Sequence, residues 1–268
     1  VTSPADHLVV VRGGGDIGSG VIWRLRRVGF PVIVLELARP LTVRRTVAFS
    51  SAVSDGPITI EGIEGILVAS AAEAVEATRR GVVPVLVSDG LPQFPRPVSV
   101  LVDARLAKVP LDTTIDQAPF VIGLGPGFVA GVDCDAVIET MRGHRLGRVI
   151  WSGPAAPNSG IPGEIGGASA ERVVRAPGAG ILTWDVSFGD VVEAGQQLGS
   201  VDGVAVVAGI GGMVRGLIVP GPVTAGLKIG DVDPRVDPDA ITQISDKSIS
   251  VGGGALEAAL VWLHTQST

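Results

Sequence analysis

The chain has 268 residues, a formal net charge of −6 and a hydrophobic fraction of 46%, enough apolar material for one large or two modest folded domains. The acidic balance, with a pI near 5.1, argues against nucleic-acid or anionic-membrane partners, because both need a basic surface. No apolar run approaches the roughly 20 residues of a membrane span, and Val1 to His7 lacks the basic-then-apolar pattern of a signal peptide, so a cytoplasmic location is the expectation. The single cysteine, Cys134, excludes internal disulfides and cysteine-clustered metal sites. The histidines (His7, His144 and His264) show no ligand spacing, so no metal site is expected.

Along the chain, Leu8-Val9-Val10-Val11 runs through Arg12 into Gly13-Gly14-Gly15-Asp16-Ile17-Gly18, a strand that meets glycines in the order G-x-G-x-x-G and then a helix. That is the signature of a phosphate-cradling turn: glycines for the tight bend, for close approach of a pyrophosphate and for helix packing, with free N–H groups at the helix start. Val32-Ile33-Val34-Leu35-Glu36 reads as a second strand, and Glu36 stands 21 residues after Gly15, close to the roughly 20 expected of a ribose-binding acid. Gly13, Gly14, Gly15, Asp16, Gly18 and Glu36 are therefore candidate cofactor-binding residues. Asp16 places negative charge where a phosphate would lie, which keeps a purely structural strand–helix turn as the alternative. Arg44 and Arg45, which follow, read as a solvated pair or as phosphate contacts.

Further strand-like runs fall at 66–69, 84–88, 98–103 and 119–123, with helix formers at Ala71–Arg80 capped by Gly81. This alternation implies a parallel sheet covered on both faces, with ligands beyond the carboxyl ends of its strands. Asp103 lies at such an end, and Lys108 follows it. Gly123, Gly125 and Gly127 leave the backbone bare for ligand approach or for a structural turn. Glu139-Thr140-Met141-Arg142-Gly143-His144 gathers an acid, a hydroxyl, a guanidinium and an imidazole. His144 is a candidate general acid/base by its ordinary pKa near 6.5, Asp103 and Lys108 are further catalytic candidates, and Arg142 is a candidate cofactor contact. Cys134, between Asp133 and Asp135, makes a poor nucleophile because both neighbours raise a thiol's pKa. The glycine-rich Pro157–Gly167 reads as a functional loop or a hinge.

From Arg175 the pattern changes to short β segments with an internal repeat. Val192-x-x-Gly195-x-x-Leu198-x-x-Val201 recurs 31 residues later as Val223-x-x-Gly226-x-x-Ile229-x-x-Val232, which implies two interlocking halves around one core. The segment resembles the hammerhead of biotinyl and lipoyl domains. Asp202-Gly203 stands at the turn that bears their lysine, so no lipoyl or biotinyl lysine is expected. Near the end, Ser245-Asp246-Lys247 and Gly252-Gly253-Gly254 precede a helix over Ala255–His264, in which Leu256, Leu260 and Leu263 share one face. The expected fold is thus α/β, a Rossmann-like parallel sheet over 1–170, with an all-β barrel-sandwich hybrid inserted at 171–236 and a C-terminal segment and helix, 237–268, returning to the α/β domain.

Arg12-Gly13-Gly14-Gly15-Asp16, Arg44-Arg45-Thr46-Val47-Ala48-Phe49-Ser50, Gly123-Leu124-Gly125-Pro126-Gly127-Phe128, Arg142-Gly143-His144 with Leu146-Gly147-Arg148, Pro162-Gly163-Glu164-Ile165-Gly166-Gly167 and Lys228-Ile229-Gly230-Asp231-Val232-Asp233 together resemble the YqeB-type accessory proteins of the selenium-dependent molybdenum hydroxylase system, which are associated with XdhC/CoxF-like maturation factors. The resemblance implies a role in maturing a molybdenum hydroxylase apoenzyme and supplies no reaction. On this reading a nucleotide or the phosphate of molybdenum cofactor (molybdopterin or its dinucleotide form) binds at Gly13–Gly18. Two alternatives stay open: an NAD(P)-dependent oxidoreductase, for which Glu36 favours NAD but the chain offers no tyrosine for a Tyr-x-x-x-Lys pair, and a non-enzymatic adaptor docking a partner through the hammerhead.

Overall fold

The computed structural model describes residues 3–109, 111–158, 167 and 170–266. Leu8–Arg12 forms β1, with all five residues buried. A continuous apolar run suits a central parallel strand, which is covered on both faces. Its side chains alternate: Val9 and Val11 enter one core, Leu8 and Val10 the other. The chain then enters α1 (Asp16–Arg27), whose N-cap is Gly15, and returns as β2 (Val32–Glu36), parallel to β1.

A pair of short 3-10 turns (Arg45–Val47, Phe49–Val53) leads to a hairpin of β3 (Ile58–Ile60) and β4 (Ile63–Val68). Glu61 and Gly62 at its turn have φ of 42° and 84°, the double left-handed geometry that matches the twist of paired strands. Ser70 caps α2 (Ala71–Arg79) by accepting from Glu73 N at 3.2 Å. β5 (Val83–Val87), β6 (Val98–Asp103), β7 (Phe120–Leu124), β8 (Val129–Ala130), β9 (Ala136–Ile138), β10 (Val149–Ile150) and β11 (Gly153–Pro154) follow.

Nine of these strands form one sheet in the order β10-β9-β7-β6-β1-β2-β5-β4-β3, and β8 pairs with β11 separately. β9 through β4 are mutually parallel, while β3 and β10 run antiparallel at the edges. This corrects the Rossmann-like expectation. The sheet is mixed, and among the described residues no helix links β5 to β6, β6 to β7 or β7 to β9. The physical reason is in the connections: Pro92, Pro95 and Pro97 in the first, and Gly125, Pro126, Gly127 and Gly131 in the last, cannot sustain a helix.

The chain next forms β12 (Val173–Arg175), β13 (Gly180–Trp184), β14 (Val191–Val192), β15 (Gln197–Val201), β16 (Val204–Val207), β17 (Gly212–Leu217), β18 (Gly221–Val223), β19 (Lys228–Asp233) and a short α3 (Asp239–Thr242). It ends in the 20-residue α4 (Asp246–Thr265). The molecule divides into two compact units: Val1–Pro40, Ala48–Asn158 and Ile244–Thr268 make the first, and Leu41–Val47 with Ser159–Gln243 the second. In the second unit the strands form two antiparallel four-stranded sheets, β12-β19-β17-β14 and β16-β15-β13-β18. That arrangement replaces the expected barrel-sandwich hybrid. The sequence repeat maps onto it: β14 and β15 of the first copy lie in different sheets, and so do β18 and β19 of the second. Segment 41–47 belongs here because Leu217 N donates to Val43 O at 2.9 Å and buried Arg44 donates to Ala240 O at 2.7 Å. Arg45 lies over the Phe188 ring at 5.4 Å. The two arginines are therefore not a solvated pair.

α4 also differs from expectation. It begins nine residues before Ala255, and Leu260 is 40% exposed. Its buried face is made of small residues: Ser248, Gly252, Gly254, Ala255, Ala258 and Ala259 with Val251 and Leu263. These let α4 lie directly on α1, where a Cβ at Gly252 would sit 2.3 Å from Gly20 O and one at Gly20 would sit 2.2 Å from Ser248 O. Leu256 and Leu263 pack on the core as their spacing suggests, Leu260 does not, and backbone contact supplies the face on α1. Among the described residues no helix is long and apolar enough to cross a membrane.

Candidate functional site

The carboxyl edge of the first unit's sheet carries its chemistry. β2 lies on one side of β1 and β6 on the other, so the strand order reverses between β1 and β6, the place where open α/β sheets hold ligands. In this structure that place is filled by the chain's own side chains. Arg12, 3% exposed, donates Nη1 to Thr113 Oγ1 at 2.8 Å and Nη2 to Asp112 Oδ2. Asp103, ending β6, is clasped by Arg105 through Nε at 3.1 Å and Nη2 at 2.5 Å, and Thr113 donates to it at 2.7 Å. Arg105 Nη1 reaches Asp112 Oδ1 at 2.6 Å. Hydrogen bonds from Arg12, and then from Arg105, hold the Asp112 carboxyl at about 2.

The glycine turn is accounted for internally. Gly13, at φ +97°, donates to Leu35 O at 2.8 Å, and a Cβ there would lie 3.1 Å from the Ala104 backbone. Gly14 N donates to Glu36 Oε2 at 2.8 Å, while Leu37 N donates to Oε1 at 2.9 Å. A Cβ at Gly18 would lie 2.1 Å from Gly13 O. Both oxygens of the expected ribose acid are thus on backbone N–H groups, and two loop amides are engaged by the protein. With the mixed sheet, this corrects the Rossmann-type nucleotide and molybdenum-cofactor reading. The same spacing serves close packing of loop, helix and strand.

A second charged group lies at the starts of α1 and α4. Asp16 Oδ1 accepts from Ser248 Oγ at 2.8 Å. Arg142 forms a two-point ion pair with Asp246 at 2.7 and 3.0 Å. A Cβ at Gly147 would meet Ser250 O at 2.3 Å, so loop 139–148 is seated against α4. Buried Glu139 accepts from Met141 N and Ala156 N at 2.7 and 2.8 Å. Lys247, half-buried, sits in the fields of Arg142, Asp16, Glu139 and Asp246. Burial, and next the Arg142 charge, lower its pKa against the pull of the three carboxylates.

Of the other expected residues, His144 and Lys108 are exposed, and Lys108 has φ +66°. Gly123, Gly125 and Gly127 abut Phe128, Thr140 and the Lys108–Val109 backbone, respectively. Burial first, and then Asp133 and Asp135, push the Cys134 thiol up to about 12. Pro157 and Asn158 are described, as is Gly167, but residues 159–166 of that expected loop, with Glu164, lie outside the described residues. Sequence reasoning missed Arg12, Arg105, Asp112, Thr113 and Lys247 as site residues. Lys247 carried one signal: a cation in the first turn of a helix opposes the macrodipole.

No family model matches the chain. It is 49% identical over 265 residues to the uncharacterized protein YqeB of Escherichia coli (strain K12), a match that covers 97% of this chain and 49% of that protein. The chain spans about half the length of the curated relative it matches. Among solved structures it is similar to an aspartoacylase family protein from Mesorhizobium loti, at 12% identity, 85% coverage of both chains and a TM-score of 0.28. It is also similar to a succinylglutamate desuccinylase/aspartoacylase from Rhodobacter sphaeroides, at 15% identity, 87% coverage of both and a TM-score of 0.27. Likeness this slight carries no argument about activity.

Proposed function

We propose that this chain is an accessory protein of a molybdenum hydroxylase system, the role its motif blocks imply, and that Lys247 is the residue through which it acts there. The observation that supports this reading is convergence. The blocks Arg12–Asp16 and Arg142–Arg148, far apart in sequence, meet the start of α4 through Asp16–Ser248, Arg142–Asp246 and the Gly147–Ser250 approach. Lys247 is the cation they surround. It has no ion-pair or hydrogen-bond partner of its own among the described residues, and a lysine whose pKa is lowered in such a setting is a functional-site candidate.

The test is to mature a molybdenum hydroxylase apoenzyme with the wild-type chain, with Lys247→Met and without the chain. Activity that appears only with the wild type, while the variant keeps its unfolding temperature, is the expected result. Equal activity in all three samples overturns the accessory role, and equal activity with wild type and variant overturns the assignment to Lys247.

One observation favours a second reading, an adaptor that docks a partner through the second unit. In the sheet β16-β15-β13-β18, Ile181, Val204 and Val207 are 51%, 58% and 50% exposed.

A further inference from the structure

The reversal point between β1 and β6 holds an arrangement that the accessory role does not use. Asp112 presents one carboxylate oxygen to Arg12 and the other to Arg105. The two arginines are built in: their side chains are 3% and 23% exposed, and each is fixed by a second partner, Thr113 for Arg12 and Asp103 for Arg105. Asp112 is different. Its side chain is 53% exposed and sits on the connection after β6. Leu106 and Lys108 on that connection have φ of +53° and +66°, positions that L-residues rarely occupy and that cost about 1 kcal/mol or more each. Val109 and Leu111, beside them, are 56% and 53% exposed. On either side of this stretch Leu106 packs on the core and Thr113 is buried, whereas the Asp112 side chain itself is held by its two ion pairs.

We infer that Arg12 and Arg105 form a binding site for the carboxylate of a small ligand, and that Asp112 occupies this site as a tethered stand-in which the ligand displaces. The chemistry of recognition is a planar carboxylate with one guanidinium on each oxygen. Charge agrees with this assignment. With Asp112 withdrawn, the two guanidinium groups face the single carboxylate of Asp103, leaving one positive charge for a monoanion. The location agrees as well, since the edge beyond the carboxyl ends at a strand-order reversal is where this kind of sheet binds small molecules. The site is independent of Lys247 and stands or falls without it.

The experiment uses the full chain with Asp112→Ala and sodium acetate as the probe. A tethered carboxylate competes at an effective concentration on the order of millimolar, so at a site with an intrinsic Kd of about 0.1 mM its removal should tighten acetate binding about tenfold. The expected result is a saturable rise in unfolding temperature with acetate in Asp112→Ala. Sodium chloride at equal ionic strength should not reproduce it, the wild type should show it only weakly, and it should vanish in the double variant Arg12→Gln/Asp112→Ala. No acetate-specific rise in the single variant, or an equal rise in the wild type, overturns the proposal. A stronger response to inorganic phosphate than to acetate overturns the carboxylate assignment. Should Asp112→Ala not fold, Asp112→Asn is read in the same way. Loss of fold in both also overturns the proposal, because a clip that a ligand displaces must be dispensable for folding.

Discussion

The same three-residue clasp ends a strand in each unit of the molecule. In Asp103-Ala104-Arg105, at the end of β6, Arg105 folds back on Asp103 through its backbone N at 3.1 Å and its guanidinium. In Asp233-Pro234-Arg235, at the end of β19, Arg235 does the same at 3.1 Å, with side-chain contacts of 2.9 and 2.6 Å. What differs is the second carboxylate. Beside β19 it is Asp231, on the strand itself and 2% exposed, shared by Arg172, by Arg215 at 3.3 Å and by Lys228 at 3.6 Å. Beside β6 it is Asp112, half-exposed on a connection with left-handed residues. One cluster is locked into a sheet and the other is closed by a removable piece. Identical chemistry therefore makes a structural tie in one place and an exchangeable contact in the other, and burial of the second acid decides which.

The largest effect should come from breaking the locked cluster. Asp231→Ala leaves Arg172 and Arg215, 9% and 7% exposed, without their shared carboxylate. A buried ion pair broken from one side costs about 3–5 kcal/mol. Chemical denaturation of the whole chain should show the second unit unfolding at much lower denaturant. A loss under about 1 kcal/mol would show that the two units do not differ in this way. Asp103→Ala should fall between the extremes, at about 2 kcal/mol, the range for hydrogen bonds to charged groups. Arg105 is partly exposed and retains Asp112. A cost matching that of Asp231→Ala would place both clusters in one class.

Much of this was legible in the sequence, and the failures have identifiable causes. The apolar runs at β1, β2, β6 and β7 announced their strands because buried parallel strands are apolar on both faces. The repeat around Gly195 and Gly226 marked two related halves, since both glycines have φ near +80°, at +82° and +74°. The glycine turn after β1 misled, because close packing of Gly18 on Gly13 O and of Gly14 on Ser50 N demands the same residue type as a phosphate cradle. α4 was legible only in part: Leu256 and Leu263 pack on the core as their spacing suggested, while the glycines and alanines that lie on α1 went unread. The clasp of Arg105 on Asp103 was not read from the sequence, although Asp103 itself was singled out at the end of its strand. Its partners Arg12 and Asp112 were not, because contacts 100 residues apart along the chain leave no local periodicity.

The smallest effect should come from Asp112, and pH gives it a signature. At neutral pH Asp112→Asn should cost about 1 kcal/mol or less, as for other half-exposed ion pairs, and less still at high salt. The sign of its pH dependence is fixed by the direction of the shift. Arg12 first, and then Arg105, hold the Asp112 carboxyl at about 2 in the folded chain, against about 3.9 in an unfolded one. A depressed acid contributes its stability above the unfolded value and loses it as pH falls through the folded one. The gap between wild type and Asp112→Asn should therefore be constant above about pH 5, shrink through about pH 4 and 3, and be down to a small fraction at about pH 2. The groups facing this carboxylate are Arg12 and Arg105 (cationic throughout that range), with Asp103 and Thr113 behind them. Unfolding measured from pH 7 to pH 2 in both proteins reads the gap directly. A gap undiminished at pH 2, or one of several kcal/mol at neutral pH, would make Asp112 a fixed tie like Asp231 and remove the contrast between the two clasps.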